Sequence, residues 1–207
     1  MDTVASPNTK EQILNVAEQL IAERGYAGTT VRNIISQAEA NLAAVHYHFG
    51  SKEELFRAVF SRIAHPIVES QLALLADLKA QDHSPSVEAI LTAFLTPPLE
   101  FIIQHEQPKM VRAQFMGRCW TEPEPVQSIA YKEFEVSKNT FLDVLQRTLP
   151  EQSRQELFWK LDLVVAALIR VLTEAGKPNA LLKSTRTEDI QKAIKQLVEF
   201  LAPSIRT

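Results

Sequence analysis

The stretch from Asn41 to Phe56 reads NLAAVHYHFGSKEELF. It holds one short helical pattern, a glycine stop and the start of a second pattern. Asn41 is an N-cap residue, because its side-chain oxygen can accept from a free amide of the first turn. Gly50 ends the segment, and Ser51 to Glu54 has the S-x-x-E spacing of a capping box. A long apolar pattern follows, with Leu55, Phe56, Val59, Phe60 and Ile63 on one face. Upstream, Thr29-Thr30 can cap VRNIISQA, which turns Val31, Ile34 and Ile35 inward. Only Glu39-Ala40-Asn41 separates that helix from LAAVHYHF. Two short helices joined by so tight a turn make a helix-turn-helix. Ahead of it, Ile13, Ala17, Leu20 and Ile21 share a face, and Arg24-Gly25 gives a cationic last turn and a stop.

The 207 residues are 45% hydrophobic and 23% charged, an ordinary globular balance. Five glycines, few alternating β-branched stretches and a recurrent helical period indicate an all-α protein. No apolar run approaches the roughly 20 residues needed to span a bilayer. The start, MDTVASPNTKEQ, lacks the basic and apolar regions of a secretory signal. Cys119 has no internal partner, which fits a reducing cytoplasm. A cytoplasmic protein with no membrane partner is expected. The net charge is −3, and the first 64 residues carry six cations and seven anions. Bulk charge therefore does not indicate nucleic-acid binding, and any such function must rest on local geometry.

Beyond residue 64 the helices lengthen. HSP near Ser84 breaks one helix, and 86–106 reads as another, bent or broken at Pro97-Pro98. KMVRAQFMGRCW is a short apolar helix, and 125–148 is amphipathic. So are 152–175, stopped by Gly176 and Pro178, and 185–201. The domains expected are a helix-turn-helix unit over 1–54 and a larger helical unit over 55–207.

Residues from about 10 to 60 resemble the DNA-binding domain of the TetR family of bacterial transcriptional repressors. The resemblance is carried by ILNVAEQLIAERGYAGTTVRNI and ISQAEANLAAVHYHFGSKEELF. The family's recognition helix ends in an aromatic run, then a small residue, Ser or Asp, Lys and an acidic pair, matched here by HYHFGSKEEL. The match covers about a quarter of the chain. It departs at Glu39, where the family has glycine in the turn, at a cost of about 1 kcal/mol if that position needs a positive φ. It also departs at Asn41-Leu42, where the family often places a lysine.

The resemblance implies a palindromic double-stranded DNA operator, a homodimer and a small-molecule effector. It gives Tyr47 and Lys52 the role of a phosphate clamp, and a phenol and an ammonium near a helix N-terminus suit one. His46 falls where the family faces the major groove, and an imidazole can donate to or accept from a base edge. His48 either touches a phosphate or packs at the helix end. Thr30 and Arg32 open the first helix of the motif, where the backbone is usually met. Asn41 and Leu42 begin the second. The methyls of Ala43 and Ala44 either meet thymine methyls or simply favour helix. Zinc is not expected: His46 and His48 point to different faces, and no cysteine or carboxylate lies at ligand spacing.

For an effector, the candidates are Phe94, Phe101, Gln114, Phe115, Arg118, Trp120, Tyr131, Phe134 and Trp159, with ordinary core packing as the plainer alternative. Cys119, beside Trp120, is expected as a packing residue. No catalytic constellation and no cofactor site is evident. The reading is a ligand-responsive regulator, most simply a repressor. The rival is a helical small-molecule-binding protein or enzyme with a vestigial or protein-contacting head.

Overall fold

A computed structural model describes residues 7–101 and 111–207. Among the described residues there are nine helices and no strand. They are α1 (Pro7–Gly28), α2 (Val31–Gln37), α3 (Leu42–Phe49), α4 (Lys52–Lys79), α5 (Val87–Glu100), α6 (Val111–Cys119), α7 (Val126–Thr148), α8 (Arg154–Glu174) and α9 (Thr187–Arg206). The end of one expected helix, 102–106, and the start of the next, Lys109-Met110, lie outside the described residues.

The head is built as the caps predict. Gly25, at φ +76°, breaks the helical path of α1. A Cβ there would lie 2.4 Å from a carboxylate oxygen of Glu122, so glycine serves both the turn and the close approach of the chain after α6. Thr30 accepts the amide of Asn33 at 3.1 Å, Asn41 that of Ala44 at 2.8 Å, and Ser51 that of Glu54 at 3.1 Å. The box at α2 is closed by Asn33, whose Oδ1 accepts from the Thr30 amide. At α4 only the serine half of the expected box forms; the Glu54 carboxylate turns to Arg57. Ile13, Ala17, Leu20, Ile34, Val45 and Phe49 meet Leu55 and Phe56 in the core of the head.

From the head, α4 runs on into the larger body. There it packs along α5 and α7, while α9 packs along α5 and α8. Short α6 lies between α1 and α8. Gly117 permits the second contact, since a Cβ would sit 2.8 Å from the Thr173 amide nitrogen.

The helix does not break at Pro97-Pro98, and the end of the last helix is corrected. Helix α5 continues through Pro97 and Pro98 to Glu100. Pro98 has no N–H to offer the carbonyl of Phe94, four residues earlier. The buried Gln71 side chain fills that place, donating to Phe94 O at 2.7 Å. Helix α9 likewise extends past residue 201 to Arg206, with Pro203 inside it.

Glu39 holds φ +49° in the turn between α2 and α3. An L side chain is disfavoured there and glycine is not. Glu39→Gly is therefore predicted to stabilise the protein by about 0.5–1 kcal/mol, net of the freedom glycine adds to the unfolded chain. Urea denaturation checks this, and a lower midpoint for the glycine variant contradicts it.

Candidate nucleic-acid interface and effector cavity

Helix α3 has two clear sides. Ala44, Val45 and Phe49 are buried against the head. Asn41, Leu42, Ala43, His46 and Tyr47 stand out in solvent, Tyr47 with 78% of its surface exposed. Thr30 and Arg32, at the start of α2, are exposed as well. The outward face of α3 is thus a shallow, mostly apolar surface with polar rings at one end.

Three of the assigned residues make contacts within the protein. Ala44 is buried one position from Val45, so its methyl packs in the core rather than against a base. His48 turns into a cleft lined by Lys10, Glu54, Arg57 and Ser61, with Nε2 buried and unpartnered among the described residues. That is the packing alternative for His48. Lys52 is drawn toward α1: its Nζ donates to Tyr26 O at 2.6 Å and lies 4.0 Å from the centre of the Tyr26 ring. Desolvation lowers its pKa from the ordinary lysine value, partly offset by Glu122. An ammonium has three hydrogens, so two remain for another acceptor.

The head is fastened to the body by a buried ionic joint. Glu18 of α1 is wholly buried and takes two guanidiniums. Arg62 of α4 reaches one oxygen at 2.5 Å, and Arg112 of α6 reaches the other at 2.9 Å. Arg62 also holds Glu11 and Asn15. The plane of Arg112 lies 5.1 Å from the centre of the Phe101 ring. Further along α6, Arg118 donates to the carbonyls of Ala22 and Glu23 and pairs with Glu122 at 3.0 Å. These arginines carry no visible signal in the sequence, but Glu18 does. It stands on the inward stripe with Leu14 and Ile21, where a carboxylate needs a buried partner.

Within the body, residues of α4 to α8 line a narrow apolar cavity. Its walls are aromatic and aliphatic: Phe94, Trp120, Tyr131 and Phe134 with Pro98, Met116, Val165, Leu168, Ile169 and Leu172. Trp120 meets Tyr131 edge-on at 5.1 Å and is tilted against Phe134 at 5.8 Å. Two polar features interrupt the lining. Ser137 donates to Gln71 Oε1 at 2.7 Å, and Lys138 pairs with Asp162 while lying 3.8 Å from the Phe158 ring centre.

Four of the nine candidate liners therefore reach the cavity. Phe101 is covered by Arg112, and Phe115 is enclosed between Phe56 and Phe60. Gln114 is exposed, Arg118 is held on α1, and Trp159 is 62% exposed on the outside of α8. Residues missed in the sequence include Gln71 and Ser137. Gln71 interrupts the buried stripe Ile67–Leu75 at helical spacing, which marks a polar group with an internal task. Cys119 is buried, and desolvation first, then Glu122, holds its thiol well above the ordinary range. It is a packing residue.

Comparison with known proteins agrees over both parts. The family model for bacterial regulatory proteins of the tetR family matches residues 13–59. The tetracyclin repressor-like C-terminal domain matches 92–203. An uncharacterized HTH-type transcriptional regulator of Lactococcus lactis, from the lacX 3′ region, is 37% identical over 78 residues, 38% of this chain and 38% of that protein. The HTH-type transcriptional repressor AcnR of Corynebacterium efficiens is 36% identical over 69 residues, 31% of this chain and 37% of that one. The chain thus spans well under half the length of each of these two relatives. FadR from Bacillus subtilis, crystallised with stearoyl-CoA, superposes with a TM-score of 0.67 at 14% identity, over 93% of this chain and 97% of that one. That likeness is one of fold.

Glu18→Gln would leave Arg112 and Arg62 sharing an uncharged acceptor in a buried site. Breaking a buried ion pair from one side is strongly destabilising. A loss of about 3 kcal/mol is predicted, read from the denaturant midpoint. Wild-type stability in the glutamine variant would contradict the joint.

Proposed function

We propose a function from one premise: the chain belongs to the tetR family of bacterial regulatory proteins. It is a transcriptional regulator, most simply a repressor, that binds a palindromic operator as a homodimer and releases it when an effector fills the cavity. The observation that carries this reading is the double duty of α6. Met116 of α6 and Trp120, the residue that follows it, line the cavity, while Arg112 and Arg118 of the same helix are bonded to α1 of the head. Anything that moves α6 from within the cavity moves the attachment of the head. A ligand that favours the wrong head position must weaken DNA binding to the same extent.

We assign Thr30, Arg32, Asn41, Leu42, Ala43, His46 and Tyr47 to the DNA face, with Lys52 adding a phosphate contact through its two uncommitted hydrogens. The head is 1–54 and the effector and dimer unit 55–207, so the boundary falls in the first turn of α4. The effector is apolar in its main part, to match the lining, as stearoyl-CoA in the FadR neighbour is over its acyl chain. Dimerisation falls to α8 and α9. They leave Trp159, Leu163 and Phe200 with 62%, 48% and 76% of their surfaces exposed, and a second copy would cover them. A cytoplasmic location follows from the proposed task, and no described helix is long and apolar enough to cross a membrane.

Gel-shift with the DNA upstream of the protein's own gene, at stated salt, tests the function. Specific retardation is predicted, and equal binding to random DNA would overturn it. Tyr47→Phe and Lys52→Ala are predicted to weaken all sequences alike, Lys52→Ala also lowering the log–log salt slope by about one per subunit. Trp159→Glu with Leu163→Glu is predicted to give monomers by light scattering and to abolish operator retention. A variant that stays dimeric would place the interface elsewhere.

A further inference from the structure

The outward face of α3 offers little with which to read a base. Leu42 and Ala43 have no polar side-chain atom. Asn41 has its oxygen on the Ala44 amide at 2.8 Å, so toward a base its exposed side chain offers the NH2 as a donor. The Tyr47 hydroxyl can donate or accept and so does not by itself discriminate. His46 remains, and its ring is not free to choose a polarity. Its Nδ1 lies 2.9 Å from the carbonyl oxygen of Gly50, the residue that ends α3 at φ +76°. A carbonyl only accepts, so Nδ1 carries the proton. In a neutral imidazole the other nitrogen then bears a lone pair.

We propose that His46 is a specificity-determining residue whose Nε2 accepts a hydrogen bond from the exocyclic amine of an adenine or a cytosine in the major groove. This deepens the DNA-binding reading above and rests on it. In the major groove only adenine N6 and cytosine N4 present donors, while guanine N7 and O6 and thymine O4 present lone pairs. Every Watson–Crick pair carries one such amine, adenine N6 in A·T or cytosine N4 in G·C, so a lone pair on Nε2 selects by which strand holds the amine-bearing base at the pair beneath His46. The selection is set by the backbone: the Gly50 carbonyl fixes the tautomer, and the tautomer fixes the base class. The neighbouring Leu42 and Ala43 side chains suit thymine methyls, so A·T pairs flanking the His46 contact fit the same face.

The test has two steps, both at about pH 8, well above the ordinary imidazole pKa. First, operators are selected from randomised half-sites with the wild-type protein and with His46→Ala, an exposed position whose substitution leaves the core intact. The pair at which the two preferences differ locates the contact. Second, the amine-bearing base of that pair is replaced by its amine-free analogue, purine for adenine or 2-pyrimidinone for cytosine. Affinity is then measured in a cycle of two proteins and two duplexes, which cancels the weakened base pairing. Loss of the amine is expected to cost the wild type about fivefold to tenfold per half-site and His46→Ala almost nothing. Equal losses for both proteins, or unchanged selection by His46→Ala, would overturn the proposal while leaving sequence-specific binding in place. Failure of both proteins to select any sequence would overturn the DNA-binding reading itself, and the role of His46 with it.

Discussion

A buried carboxylate pins the two halves of this protein to each other at one point. Glu18 receives Arg62 from α4 and Arg112 from α6, one guanidinium on each oxygen. Burying any of these charges alone would cost several kcal/mol, so the three are stable only as a set. The geometry this demands is narrow. Helices α1, α4 and α6 must meet at one point for the carboxylate to be satisfied. The apolar packing of α1 on α6 could tolerate a small slide, but a hydrogen-bonded ion pair tolerates far less. The joint thus converts the position of α6 into the position of the head, and α6 is the helix that also walls the cavity.

The cavity follows the same logic of satisfied polar groups in apolar surroundings. Pro98 removes the amide that would have bonded Phe94 O, and Gln71 reaches across from α4 to replace it. Ser137 of α7 then occupies the other end of the Gln71 amide. This chain ties α4, α5 and α7 around the cavity without closing it, because its members hydrogen-bond each other rather than fill space. The ionic pair of Lys138 and Asp162 lines another part of the same wall. An apolar guest can therefore displace little that is bonded.

Local signals in the sequence were enough for the head. Caps at Thr30, Asn41 and Ser51, the stop at Gly50 and the stripes on either side are short-range chemistry, and each occurs where it was expected. The strained turn at Glu39 was legible for the same reason. The body was legible as helices but not as a site. Whether an aromatic faces a cavity, a neighbouring helix or solvent depends on how long helices rotate against each other, and periodicity leaves that angle open. Phe115 and Trp159 show both failures: one is enclosed in the core, the other stands outside. Ala43 and Ala44 divide the same way at one-residue resolution, the first exposed and the second buried, since a position at the edge of a stripe can fall on either side. The ionic joint was invisible because its members lie 44 and 94 residues from Glu18. Only the misplaced carboxylate on an apolar stripe pointed to it.

The central claim is that the Glu18 joint sets where the head stands relative to the body. Spin labels placed at Gln37 on the exposed side of α2, in a Cys119→Ala background, would report the separation of the two heads in the proposed dimer by double electron–electron resonance. The account predicts a narrow distance distribution with Glu18 present, and a broadened or shifted one in Glu18→Gln under conditions where that variant remains folded. An identical distribution in the two proteins would contradict it.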